Sequence, residues 1–273
     1  MAQQTPQGFS PFQQPTPLPP PPRKHMGAAT AAAALVLILA IAVILNESVL
    51  KIHSIAVVGN QRVSWEQVVK AAGLDSTVSF FSVNESRIEK GIEANRYLIF
   101  ERLEKQFPDK LTLYVRERQP QVFVSEMGAV YELDTEGMVL ERREGSLSTK
   151  EFEDLAKENG CVIVTGLKPK ELRVGRMMTA GTAAHMEAYH QLLTEITLQG
   201  YFQQVSELNV TDPESIYLIT REGYTAHLGD LTDLRAKIGT VRAVEAKLLE
   251  MGKKGGMLEA TIPGEAIYTP ETP

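Results

Sequence analysis

Three things are scarce in this 273-residue chain: cysteine, positive charge, and acidic residues near the N-terminus. A single cysteine, Cys161 in CVIVTG, cannot close an intramolecular disulfide, so the folded part must hold by its apolar core alone. Cys161 heads an apolar run and reads as a small buried residue rather than a nucleophile. The net charge is −6, and before Glu47 there is no acid and only Arg23 and Lys24 as bases. The remainder therefore carries 26 basic against 34 acidic residues. Nucleic-acid binders need clustered Lys and Arg to displace counterions, so an acidic remainder excludes that class.

Catalytic signatures are missing as well. The chain has no GxSxG, HExxH, P-loop or Gly-rich dinucleotide turn. Ser48 and Lys51 form an SxxK string, but it abuts an apolar run and lacks a companion KTG. His185 and His190 stand five apart in a helical stretch, which turns them about 140° from each other and away from a common ion. His53 and His227 have no partner in their local sequence. No catalytic, cofactor-binding or metal-ligating residue is expected, and no cofactor.

What is present begins with residues 26–46, which include no charge and consist mostly of Ala, Val, Leu and Ile. That length matches a hydrocarbon core of roughly 30 Å and predicts a single transmembrane helix. A cleaved signal peptide fits less well, because no A-x-A site closes the run. Bases before it and Glu47 after it place the N-terminus in the cytoplasm and the large C-terminal part outside. Residues 1–25 include eight prolines and few aliphatics, which predicts a disordered cytoplasmic tail.

Residues 51–58 alternate as a strand, and GNQ supplies a turn. Ser64 with Gln67 forms a capping box for a helix that Gly73 closes, and Ser82 with Glu85 suggests a second box. YLIFERLEKQFPDKLTLYVRERQP then reads as a hairpin turning at residues 107–110, with Leu111, Leu113 and Val115 alternating inward. The order strand, helix, helix, strand, strand closes a small two-layer unit over residues 49–118. Residues 119–273 have another texture. VFVSE, AVYEL, MVLER, VIVTG, VSELNV, SIYLIT and YTAHLG are short strands, and two longer helices cover residues 184–199 and 230–252. MLEATIPGEAIYTPETP ends in a turn at Pro263-Gly264 and a short strand over residues 265–269. The expected class is α+β: an anchor helix, a small β-α-α-β-β domain and a mixed β domain.

Two passages, IHSIAVVGNQRVSWEQVVKAAGL and FFSVNESRIEKGIEANRYLIFERLEKQFPDKLTLYVRERQPQVFV, resemble the POTRA domain of the bacterial cell-division family FtsQ, called DivIB in Gram-positive bacteria. Pro108, Glu117, Arg118 and Pro120 match its proline turn and Glu-Arg-x-Pro ending. AVYELDTEGMVL is similar to its Asp-x-x-Gly hairpin through Asp134 and Gly137, and HLGDLTDLRAKI to its strand-Gly-helix passage through Gly229, Leu234 and Lys237. The resemblance implies a non-enzymatic, single-pass scaffold of the cytoplasmic membrane at the division septum. Its implied partners are FtsL and FtsB/DivIC-type single-span proteins, which add a strand to the last strand of the β domain. The matching residues are Glu265, Ala266, Ile267, Tyr268 and Thr269, with Tyr268 expected as the aromatic anchor. A short terminal strand with one free side independently suits strand addition, the alternative at Ile267 being inward packing. Two other classes are a POTRA-type export module, which would be followed by a series of barrel strands, and a membrane-anchored envelope enzyme, which would need convergent titratable groups.

Overall fold

The computed structural model describes residues 26–48, 51–75, 77–145 and 148–271, so the expected proline-rich tail over residues 1–25 lies outside the described residues. The chain divides between Leu50 and Lys51 into two compact units.

Among its described residues the first unit contains one helix, α1, Met26–Ser48. Its described side chains are Gly27 and residues 30–44, all exposed. Among them no helix is long and apolar enough to cross a membrane, since residues 30–44 rise only about 22 Å as a helix. The expected span over residues 26–46 runs past these side chains at both ends, and the membrane reading rests on the sequence.

The second unit holds two sheets. The first comprises β1 (Ser54–Val58), β2 (Leu98–Gln106) and β3 (Lys110–Glu117) in the order β1-β3-β2, with β1 parallel and β2 antiparallel to β3. Helices α2 (Trp65–Ala71) and α3 (Glu85–Glu93) cover one face, burying Val68, Ile88, Ile92, Leu111 and Leu113 together. The capping box at Ser64 and Gln67 forms, and Gly73 follows the helix with a φ of 65°. The expected second box does not. Asn84, not Ser82, caps α3 by accepting from the Arg87 N–H, while the Ser82 hydroxyl donates to the Ser79 carbonyl in a short 3-10 turn. Gly59 ends β1 with a φ of 99°, and a Cβ there would lie 1.9 Å from the Val115 carbonyl oxygen, so the turn admits only glycine.

The second sheet is larger than the short meander its sequence suggests. Nine strands join it: β4 (Val122–Glu126), β5 (Ala129–Leu133), β6 (Val139–Glu144), β7 (Val162–Thr165), β8 (Val205–Asn209), β9 (Ile216–Thr220), β10 (Tyr224–Gly229), β11 (Gly256–Glu259) and β12 (Ile267–Thr269). Their order is β12-β11-β10-β9-β8-β7-β4-β5-β6. The α+β class holds. Helices α5 (Ala183–Leu198) and α6 (Leu234–Glu250) lie over one face, where Tyr189, Leu192, Ile238 and Val241 meet Val122, Leu208, Leu218 and Ala226. The other face is covered at β4 and β7 by α4 (Thr149–Glu158), through Phe123, Ile163, Phe152 and Leu155. Helix α4 is absent from the sequence reading, although Ser148 and Glu151 form a full capping box.

Polar groups brace the smaller sheet and tie it to the larger one. The Glu117 carboxylate accepts from the N–H groups of Gln61, Arg62 and Val63 at 2.6, 2.9 and 2.8 Å. Next to it, Arg118 donates to the Asp134 carboxylate and, at 2.8 Å, to Glu136. Asp134 also accepts from the Glu136 and Met138 N–H groups at 3.0 and 2.8 Å, which shapes the β5–β6 turn. Gly137, the other half of the Asp-x-x-Gly signature, supplies that turn with a φ of 93°. Tyr97 and Arg96 reach Glu141 on β6.

Removing one member of a buried ion pair strands the other, at a cost of about 3–5 kcal/mol. Arg118 and Asp134 side chains are 11% and 7% exposed. Arg118→Ala should therefore lower the unfolding free energy by roughly that amount, and Arg116→Ala, at an exposed pair, by under about 1 kcal/mol; chemical denaturation of both variants checks the contrast. Burial raises the Glu117 carboxyl pKa, but the three N–H donors outweigh it and hold the group below the usual glutamate range. A depressed folded value contributes stability that is present above the unfolded value of about 4.3 and lost as pH falls through the folded one. Melting temperatures across the acid range should show wild type ahead of Glu117→Gln at neutral pH, with the gap closing below about pH 4.

Candidate functional site

Strand β12 ends the nine-stranded order, so its side away from β11 has no paired strand among the described residues. It runs antiparallel to β11, with Thr269 opposite Met257, Tyr268 opposite Leu258 and Ile267 opposite Glu259. Alternation then sorts the five expected residues. Ala266 and Tyr268 turn toward the core under α6. The Tyr268 ring meets Tyr224 edge-on at 6.3 Å, and its hydroxyl donates to the Gly255 carbonyl at 3.1 Å. Ile267 is 69% exposed, and Thr269 is exposed on the same face. Glu265 stands before the strand, in the turn after Pro263-Gly264, its N–H donating to the Ile262 carbonyl.

Two expectations change here. The strand covers Ile267–Thr269 rather than residues 265–269. Tyr268 is also committed to its own core, so the outward side chain is Ile267 and not the tyrosine. Met257, 42% exposed, joins Ile267 and Thr269 on that outward face. Its place there follows from cross-strand register, which the sequence does not display. Gly256 seats the strand: its φ is 107°, and a Cβ would fall 2.6 Å from the Thr269 carbonyl oxygen.

Beside this edge runs a polar row. The Glu259 carboxylate lies 2.9 and 3.1 Å from His227 Nδ1, and Ser215 Oγ lies 3.1 Å from His227 Nε2. Serine, imidazole and carboxylate are thus connected as in an acyl-transfer relay. A working relay also needs donors aimed at a developing oxyanion and a dry pocket. The Ser215 N–H is already bonded to the Asp212 carbonyl, Tyr217 stacks on the imidazole at 4.6 Å, and the Glu259 side chain is 44% exposed. The row is a ladder fastening β9, β10 and β11 on the solvent side of the sheet.

The remaining candidates are structural. His185 is buried at the start of α5, its Nδ1 2.6 Å from the Thr182 hydroxyl, while His190 is exposed and meets Tyr189 edge-on. Among the described residues no three His, Cys, Asp or Glu side chains gather as metal ligands. Lys237, 3% exposed, donates to the Asp230 carbonyl and carboxylate at 3.1 and 2.8 Å, pinning α6 to the end of β10 just past Gly229. That bond holds the Asp230 carboxyl below its ordinary range. Cys161 is fully buried, and burial, reinforced by the Glu132 charge, pushes its thiol up to about 11.

The chain is similar to known proteins. Residues 50–118 match the family model described as the FtsQ-type POTRA domain. The cell division protein DivIB of Clostridium tetani is 21% identical over 214 residues, covering 78% of this chain and 77% of its own length. DivIB of Clostridium botulinum is 22% identical, covering 80% of each chain. The cell division protein FtsQ of Syntrophotalea carbinolica is 26% identical over 62% of this chain, which spans only 56% of that relative. The resemblance to the FtsQ/DivIB cell-division proteins is therefore borne out over most of the chain.

A thiol pushed to about 11 is almost wholly protonated at neutral pH and closed to reagents. Iodoacetamide should leave Cys161 unmodified in the native protein and alkylate it in denaturant; mass spectrometry of the two samples decides.

Proposed function

We propose that this chain is a non-enzymatic divisome scaffold of the cytoplasmic membrane. In this reading residues 1–25 are cytoplasmic, residues 26–46 anchor the chain, and the POTRA domain (49–118) and β domain (119–273) lie outside. The β domain takes up an extended segment of an FtsL- or FtsB/DivIC-type single-span partner along β12, and the complex contributes to septum assembly and the control of septal peptidoglycan synthesis. The names of the relatives support the division role. The unbroken apolar sequence of residues 26–46 supports the anchor.

The observation that carries the partner reading is that β12 has no paired strand on its outer side among the described residues, with Ile267 turned outward. An edge strand offers unpaired N–H and C=O groups in register, and the outward side chain adds selectivity. Tethering in a shared membrane raises the effective concentration, so a modest interface suffices.

A fluorescent fusion on the N-terminus should form a midcell band in dividing cells. Ile267→Lys, compared at equal membrane levels, should lose the band or fail to complement a depletion strain. An even peripheral signal of the wild type at every stage would sink the division reading. A normal band and full complementation in the variant would instead remove β12 as the docking strand.

A further inference from the structure

The POTRA domain exposes an aromatic pair that its own core does not use. Phe80 is buried, but Phe81 and Phe107 are 71% and 68% exposed. The three rings form one cluster, with centroids 5.7, 5.8 and 6.3 Å apart. Phe81 belongs to the 3-10 turn before α3, and Phe107 to the turn between β2 and β3. Both turns bond to the same short stretch of backbone. Lys51 bridges Ser79, the Ile52 N–H donates to the Val78 carbonyl, and the His53 N–H donates to the Asp109 carbonyl. The exposed rings therefore flank the point at which the compact unit begins, and only two residues of sequence separate that point from Ser48.

Lysines stand beside the rings. Exposed Lys105 and Lys110 flank the Phe107 turn. Lys105 also donates to the Val83 carbonyl beside the Phe81 turn, at 2.8 Å. Two acids also stand close in sequence: Asp109, which lies 3.6 Å from His53 Nδ1, and exposed Glu85, four residues after Phe81. Two rings standing out from a surface, bordered by lysines, have the chemistry of an interfacial membrane contact: aromatic groups enter the boundary between headgroups and acyl chains, and bases meet anionic headgroups.

We infer that the Phe81–Phe107 face rests on the surface of an anionic bilayer and holds the POTRA domain against it. This rests on the reading of residues 26–46 as a membrane anchor. With that anchor in place, a small apolar contact is enough, because the tether makes the surface encounter intramolecular.

The test uses the full chain reconstituted into vesicles of phosphatidylethanolamine and phosphatidylglycerol brominated near the headgroup end of the acyl chains. Trp65→Phe removes the native tryptophan, and Phe81→Trp or Phe107→Trp then places the reporter on the proposed face; either substitution keeps an exposed aromatic ring. The expected result is at least about two-fold quenching relative to unbrominated vesicles at both positions. No quenching at either position, in protein that resists alkaline carbonate extraction, overturns the lipid contact and leaves the anchor standing; crosslinking of these positions to a protein partner in cells would be such a case. Release of the chain by carbonate overturns the anchor and the contact together.

Discussion

The pairing of Arg118 with Asp134 is the interaction on which the second unit depends. Arg118 directly follows Glu117, whose carboxylate gathers the backbone of the first turn, and its guanidinium closes on the aspartate that shapes the β5–β6 turn. The Asp134 carbonyl in turn accepts from the hydroxyl of Tyr189 at 2.7 Å, deep under α5. One arginine thus joins a strand end, a hairpin and a helix that come from three separate parts of the sequence. Charges this poorly solvated are tolerated only when each is held by several bonds, and the Glu-Arg and Asp-x-x-Gly signatures supply those bonds.

Features set by local chemistry were legible in the sequence. The capping box at Ser64, the hairpin of β2 and β3, and the limits of β10 at Tyr224–Gly229 all follow from neighbours a few residues apart. At α3, two capping residues compete within one turn, and the side chain that reaches an N–H wins. Helix α4 was hidden in a polar stretch, because only Phe152, Leu155 and Ala156 face the sheet. That nine strands share one sheet was not legible, since the parallel pairings of β4 with β7 and β7 with β8 join residues about forty apart.

The candidate site shows the same division. Its place at the chain's last strand was readable from a turn and an alternating pattern, but the direction of each side chain was not. A strand of three residues leaves the inward parity to be fixed by Gly256 and the Tyr224 ring rather than by its own sequence. Likewise Ser215, His227 and Glu259 are scattered in sequence and meet only through strand register. Their meeting fastens neighbouring strands, with Tyr217 stacked on the imidazole.

The strand order also makes the sheet a ruler. β6, where Tyr97 and Arg96 fasten the POTRA domain, is one border, and β12 is the other. Eight interstrand steps of about 4.8 Å separate them by roughly 38 Å. A polypeptide that first touched the POTRA domain would need about eleven extended residues to arrive at β12. Insertion or loss of a strand pair in the middle of the sheet would change that reach while leaving both borders chemically intact.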